Sequence, residues 1–337
     1  MTRIVSATLG HDSASTLRPR ARRWWMSRAA LLLGVLLGTG LLQGCAWLDA
    51  KQRTIALRPT PGRPANAAPD EQLFRAGDER WQVEMPVASG AWPKGRTEPL
   101  TLWWLPHADA AAPTLLYLHG TFRNLYGNLP KIDALRAAGF AVLAVDYRGW
   151  GDSAPIVPSE ETITADAVRA WEELKRRQPL PERRVIFGHS MGGSVAVRLA
   201  SGLKGSGPQR DDAAGPARTD ADYGAVVLES TFTRINDVAS EAGFLGNVMS
   251  LFSTLDFDSI TRVGRIDGPV WMLHGDADTT VPVTLGRRLR DAVPPASLAR
   301  WVEVPGGNHS WLHRDAKELY QRTFADLIQS LQKNNAP

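Results

Sequence analysis

Cysteine is nearly missing: Cys45 stands alone among 337 residues, so no disulfide can form within the chain and apolar burial must hold the fold. A surplus of one charge is missing too. The formal net charge of +4 comes from the leader, because residues 1–44 hold Arg3, Arg18, Arg20, Arg22, Arg23 and Arg28 against the single acid Asp12, leaving residues 45–337 at −1. A near-neutral chain lacks the basic surface that nucleic-acid phosphates require, and no nucleic-acid partner is expected. Long apolar runs are also lacking. The run Ala29–Leu42 has 14 residues, short of the roughly 18–20 that a helix needs to cross a bilayer. No H-E-x-x-H occurs, the seven histidines do not cluster at ligand spacing, and neither the Walker nor the Rossmann glycine pattern falls in a usable context. No metal and no cofactor are implied. The 43% hydrophobic and 22% charged composition excludes a disordered or collagen-like chain.

What is present begins with an export signal. The basic segment Arg22 to Arg28 precedes the apolar run, whose length suits a secretory signal. The run closes on Leu42-Gln43-Gly44-Cys45, which resembles the bacterial lipobox, with Gln43 an unusual choice at its position. The resemblance implies a signal peptide over residues 1–44, lipidation of Cys45 on sulfur, and a stable membrane anchor, since two or more acyl chains hold a protein to a bilayer. Ala46 follows the cysteine in place of an Asp, which by the same resemblance implies the outer membrane, facing the periplasm. Met26 offers an alternative start just before the apolar run; Arg22-Arg23-Trp24-Trp25 matches a twin-arginine signal poorly in the residues after the pair. Residues 45–70, with Pro59, Pro61, Pro64 and Pro69 and no apolar period, read as a flexible tether. Residues 71–337 then form one domain.

Within that domain, short apolar runs alternate with helix-period segments. Strands are expected over residues 81–87, 100–105, 114–118, 140–145, 184–187, 225–228, 270–273 and 300–304. Helices are expected over 160–177, with Ile163, Ala167, Trp171 and Leu174 on one face, and over 315–332. Short, wholly apolar strands separated by helices indicate a mostly parallel eight-stranded sheet covered on both faces. Functional groups then collect at the carboxyl ends of the strands. Residues 202–223 read as a surface loop. Residues 231–262, which carry Phe232, Phe244, Leu245, Val248, Met249, Leu251, Phe252, Leu255 and Phe257, form either a short cap over the site or a segment packed on the sheet.

Gly188-His189-Ser190-Met191-Gly192 follows one strand run and opens a helix-forming segment. This strand-to-helix turn exposes a serine hydroxyl at the sheet edge. A serine needs a base to take its proton and an acid to orient that base. Both come later in chain order: a strand leads into His274-Gly275-Asp276-Ala277-Asp278, and another into Pro305-Gly306-Gly307-Asn308-His309. Asp278 is the chosen acid, with Asp276 the alternative, and His309 is favoured over His313. The amides of Met191, at the start of the helix, and Thr121, after Leu116-Tyr117-Leu118-His119-Gly120, are expected to form an oxyanion hole. His119, His189 and His274 are read as loop supports.

With these motifs in order, the chain over about residues 80–332 resembles the α/β-hydrolase superfamily. Asp146-Tyr147-Arg148-Gly149-Trp150-Gly151-Asp152-Ser153 and Glu229-Ser230-Thr231-Phe232-Thr233 are similar to the branch of lysophospholipase-like and protein-depalmitoylase-like hydrolases. The resemblance implies an α/β-hydrolase fold and a serine hydrolase acting on a carboxylic ester or thioester with a hydrophobic acyl group. Peptidase or acyltransferase chemistry by the same residues, or a non-catalytic interaction lipoprotein, are the alternatives.

Overall fold

The computed structural model describes residues 44, 46–67, 71–87, 95–206, 220–241 and 255–333. Cys45, nearly all of the expected signal peptide, and Phe244, Leu245, Val248, Met249, Leu251 and Phe252 of the expected cap lie outside the described residues. The chain divides into two units, Met1–Asp49 and Ala50–Pro337, and the second carries the sheet and its helices.

Eight strands form one sheet in the order β1-β2-β4-β3-β5-β6-β7-β8. They are β1 (Glu79–Pro86), β2 (Thr97–Leu105), β3 (Thr114–Leu118), β4 (Ala141–Asp146), β5 (Arg184–His189), β6 (Ala225–Glu229), β7 (Val270–Gly275) and β8 (Leu298–Val304). The β1–β2 and β2–β4 pairs are antiparallel and the others parallel. Residues of β3, β4 and β5 are buried along their whole length, as strands covered on both faces must be. Alternation divides them between two cores. Leu116, Leu118, Ile186 and Val226 face one core, with Ile163 and Trp171; Leu115, Tyr117, Phe187 and Val227 face the other, with Ile132 and Phe324. Each large side chain so buried contributes roughly 1.5–3 kcal/mol.

Among the described residues after β1, the α-helices are α1 (Leu125–Ala137), α2 (Glu160–Arg177), α3 (Met191–Ala200), α4 (Ile235–Glu241), α5 (Ile260–Val263), α6 (Val283–Ala292), α7 (Leu312–Asp315) and α8 (Lys317–Lys333). The expected 160–177 helix is α2. Ser159 and Thr162 close a capping box at its start, with Glu160 and Glu161 in the first turn and Lys175, Arg176 and Arg177 in the last. Helix α1 has an Asn124 N-cap and Arg136 in its last turn but no apolar period, because Asn128, Lys131 and Arg136 are buried along with Leu125, Leu129 and Ile132; Pro130 lies inside it. In the 231–262 segment, Phe232, Leu255 and Phe257 pack into the core beneath the sheet face.

One expectation is corrected. Residues 50–67, expected as part of a free tether, are built onto the domain. Leu57 is fully buried in the core, and Arg53 donates to the carbonyl of Pro158 at 3.2 Å. Gly62 N donates to Gly151 O at 2.6 Å, and Gly151 N to Thr60 O at 3.0 Å. Asn124 Nδ2 donates to the carbonyls of Thr60 and Gly62 at 3.1 and 2.9 Å. The prolines remove amide donors, but the carbonyls of Thr60 and Gly62 on either side of Pro61 remain, and a side-chain amide on the domain satisfies them; composition alone does not reveal such pairing.

Candidate active site

Ser190 stands between β5 and α3 with φ 56° and ψ −122°, a left-handed backbone region that costs a non-glycine residue energy and persists only when its surroundings hold it. Two glycines make the turn possible. A Cβ on Gly188 would lie 2.2 Å from the Gly192 carbonyl oxygen, and one on Gly192 would lie 2.0 Å from that of Leu118. The Ser190 amide donates to Glu229 O at 2.9 Å, and its carbonyl accepts from Gly193 N at 2.9 Å.

Three side chains from three strand ends meet there. Ser190 Oγ lies 3.0 Å from His309 Nε2, and His309 Nδ1 lies 2.7 Å from Asp278 Oδ2. The other Asp278 oxygen accepts the amides of Thr280 and Val281 at 2.9 and 2.8 Å. Burial pushes the Asp278 carboxyl up, but hydrogen bonds from His274 and His309, the charge of His309 and the Val281 amide bring it well below the usual carboxylate range. Asp276 instead turns to the Gly306 amide. His313 is buried and has no contact with Ser190 or Asp278 among the described hydrogen bonds.

His189, His274 and His119 hold loop backbone. His189 Nε2 bonds His309 O at 2.8 Å, His274 Nε2 bonds Val281 O at 2.9 Å, and His119 Nδ1 bonds Gly120 O at 2.6 Å. A Cβ on Gly120 would sit 3.1 Å from the Ser190 Cβ, so the turn that carries Thr121 lies against the serine. Trp150 Nε1 fixes that turn from behind by donating to Thr121 O at 3.1 Å. Met191 is the first residue of α3, where amides have no intrahelical acceptor and the helix dipole favours negative charge.

Below the turn, Asp146 is wholly buried. Its Oδ1 accepts Leu125 N at 2.8 Å and lies 3.7 Å from His119 Nε2. Burial raises the Asp146 carboxyl to about 8 despite the Leu125 amide, and burial lowers the His119 ring to about 4.

At the mouth, the Phe122 ring stands edge-on to the His309 ring at 6.5 Å and is 43% exposed. Arg58 lies over Phe122 at 5.0 Å, and Arg123 over Trp311 at 4.2 Å. A groove of about 550 Å³ runs between Phe122, Arg123 and Trp311 on one side and Thr60, Pro61 and Gly62 on the other. Sequence reasoning passes over this wall because part of it comes from a segment whose composition reads as a tether. It also gives no chemistry to Lys131, Glu229 and Tyr320, although a charge closing the apolar run 225–228 is a visible signal.

A strained serine on a strand-to-helix turn, hydrogen-bonded to a histidine and through it to an aspartate, at the carboxyl ends of a mostly parallel sheet, defines an α/β hydrolase. The chain belongs to the Alpha/beta hydrolase family, whose profile matches residues 115–322. It is 32% identical over 219 residues to the lysophosphatidylserine lipase ABHD12 of Danio rerio, covering 61% of this chain and 53% of that protein. It thus spans about half the length of that relative. An uncharacterised protein of Mycobacterium tuberculosis is 31% identical over 254 residues, covering 72% of this chain and 81% of its own length. Among solved structures, an esterase of Pyrococcus furiosus superimposes with a TM-score of 0.58 at 20% identity, covering 81% of this chain and 97% of that one; at this identity it speaks to the fold alone.

Proposed function

We propose that this protein is a serine hydrolase that cleaves a carboxylic ester or thioester carrying a hydrophobic acyl group. The observation that carries the reading is the unbroken chain from Ser190 Oγ through His309 to Asp278, at 3.0 and 2.7 Å. Ser190 attacks the acyl carbonyl while His309 Nε2 takes its proton, and Asp278 stabilises the imidazolium. The amides of Thr121 and Met191 hold the tetrahedral oxyanion; one such donor is worth roughly 2.7–4 kcal/mol. His309 then protonates the departing alcohol or thiol, leaving the acyl group on Ser190. A water molecule, losing its proton to His309, attacks that acyl-enzyme; the acid departs and the proton returns to Ser190.

The similarity to a lysophosphatidylserine lipase supports a lipid-like ester. So does the mouth, where the exposed Phe122 ring lies beneath the Arg58 guanidinium and offers apolar surface beside positive charge. The lipobox-like Leu42-Gln43-Gly44-Cys45 supports anchoring through Cys45 at the bacterial cell envelope, on the outer membrane facing the periplasm, where such substrates reside. Among the described residues, no helix is long and apolar enough to cross a membrane.

Labelling with a fluorophosphonate probe tests the nucleophile: the wild type should label, and Ser190→Ala should not. Equal labelling of both would overturn the assignment. A p-nitrophenyl ester series should show kcat/KM rising from acetyl to octanoyl; the reverse order would sink the hydrophobic acyl group. Cys45→Ala should release the protein from the membrane fraction, and retention there would count against the lipid anchor.

A further inference from the structure

Glu229 closes β6, is completely buried, and takes part in no step of the hydrolytic cycle. Its carboxylate is nonetheless gripped from two sides. Lys131 of α1, itself 3% exposed, forms a buried ion pair with Oε1, and the Tyr320 hydroxyl of α8 donates to Oε2 at 2.9 Å. The main-chain carbonyl of the same residue accepts the Ser190 amide at 2.9 Å and the Thr231 hydroxyl at 3.3 Å.

The three elements joined at this point each carry one part of the hydrolytic site. Helix α1 begins directly after the turn that bears Thr121, and α8 comes after the loop that bears His309. Strand β6 pairs with β5, with His189 opposite Glu229, and hands its last carbonyl to the strained serine. Burying an ion pair adds little to stability compared with apolar packing of the same volume. Unlike apolar packing, it fixes direction, because an ammonium and a phenol each reach a particular carboxylate oxygen.

We propose that Lys131, Glu229 and Tyr320 form a positioning node that sets the oxyanion turn, the serine elbow and the histidine loop at their working separations. Their side chains are taken up by one another. They act through the Glu229 carbonyl on the Ser190 backbone and through α1 and α8 on the other two parts. Loosening the node should therefore lower kcat and leave KM in place, since misplacement by about 1 Å costs on the order of 100-fold in rate.

The inference rests on Ser190 being the nucleophile, so probe labelling of the wild type and its loss in Ser190→Ala come first; failure there sinks the functional reading before the node is tested. With that established, Tyr320→Phe, which keeps the ion pair, should lower kcat for p-nitrophenyl butyrate about 3- to 10-fold with KM within about 2-fold. Lys131→Met, which strands a buried carboxylate, should lower kcat about 30- to 100-fold. The double variant Lys131→Gln/Glu229→Gln restores a neutral hydrogen-bonded pair and should regain much of that loss. Second-order labelling by the fluorophosphonate should fall in parallel with kcat, because it needs the same attack geometry. Assays of all variants at one temperature, well below the lowest Tm among them, separate rate from stability. Wild-type kcat in folded Tyr320→Phe, a change in KM instead of kcat, or a double variant slower than Lys131→Met would overturn the proposal.

Discussion

The two ends of the sheet differ in a way that cavity size hides. At the amino ends, a cavity of about 820 Å³ opens between His107, Asp109, Arg183, Asp326 and Gln329. At the carboxyl ends, the groove beside Phe122 is smaller, about 550 Å³. Yet the carboxyl ends hold the buried polar groups that converge: Ser190, His309, Asp278, His189 and Glu229 are each under 10% exposed. Thr114, Gln178 and Arg184 are buried at the amino ends too, but they bond one another and main-chain carbonyls; the buried serine, histidine and aspartate bonded in a chain at the carboxyl ends mark where the fold maintains a chemical arrangement. Volume alone does not.

The sharpest test of that contrast removes the serine hydroxyl. Ser190→Ala should reduce kcat on a p-nitrophenyl ester by about 10⁴- to 10⁶-fold with little change in Tm; a folded variant keeping one part in a hundred of the activity would break the comparison. Next comes the pair of aspartates. Asp278→Asn should lower kcat about 10⁴-fold by presenting His309 with the wrong hydrogen-bond partner. Asp276→Asn, whose carboxylate turns to the Gly306 amide, should stay within about 2-fold on the same grounds. Equal losses in both would erase the distinction drawn by the His309 hydrogen bond.

Much of this end of the molecule is legible in the sequence because local pattern and tertiary need coincide there. The glycines around Ser190 are required because a Cβ at Gly188 or Gly192 would lie 2.2 or 2.0 Å from a backbone oxygen, and the acid and histidine must come after strands to reach the serine. The chain order therefore carries the constellation. Helix α1 is not legible, since a helix buried on several sides by Leu129, Asn128 and Lys131 has no amphipathic period to read. The strap at residues 58–62 is hidden for a different reason. Its partners, Asn124 and Gly151, lie 62 or more residues away, and proline-rich composition reports the missing amides but not where the carbonyls go. Lys131 and Glu229 likewise pair across 98 residues.

A third test uses the buried groups under the oxyanion turn. Burial holds Asp146 at about 8 in the fold, far above the roughly 3.9 of an unfolded aspartate. Folding thus retains a proton between those values, and the contribution of this carboxyl is greatest below about pH 4 and declines as pH rises through 8. Burial holds His119 at about 4, so protonation opposes folding as pH falls from about 6.5 toward 4. Asp146→Asn stays neutral throughout. Its Tm relative to wild type should therefore rise from pH 5.5 to pH 8.5, by about 5–10 °C, as read by calorimetry; a constant difference across that range would show that Asp146 is ionised in the fold.

Smaller still is the effect expected at the mouth. The Arg58 guanidinium lies beside an exposed ring at the mouth, where a solvent-screened charge contributes about 0.5–1 kcal/mol to an ionic contact with an anionic substrate. Arg58→Ala should raise KM for an anionic lysophospholipid about 2- to 5-fold and leave KM for a neutral short ester unchanged. Equal effects on both substrates would point to lost packing against Phe122 instead of lost charge.

The smallest effect is expected at the other end of the sheet, and it bears on the whole contrast. If convergence of buried polar groups locates chemistry, filling the larger cavity should not disturb hydrolysis. Gln329 lines that cavity from α8 and is exposed, so Gln329→Trp can occupy the space without entering the core. Its kcat and KM should match wild type within about 2-fold, because a surface substitution away from buried networks changes little. Tyr320, on the same helix but nine residues earlier and tied to Glu229, supplies the matched contrast. A loss of rate in Gln329→Trp as large as in Tyr320→Phe would mean that α8 transmits any disturbance to the site, and that the two ends of the sheet are not separable.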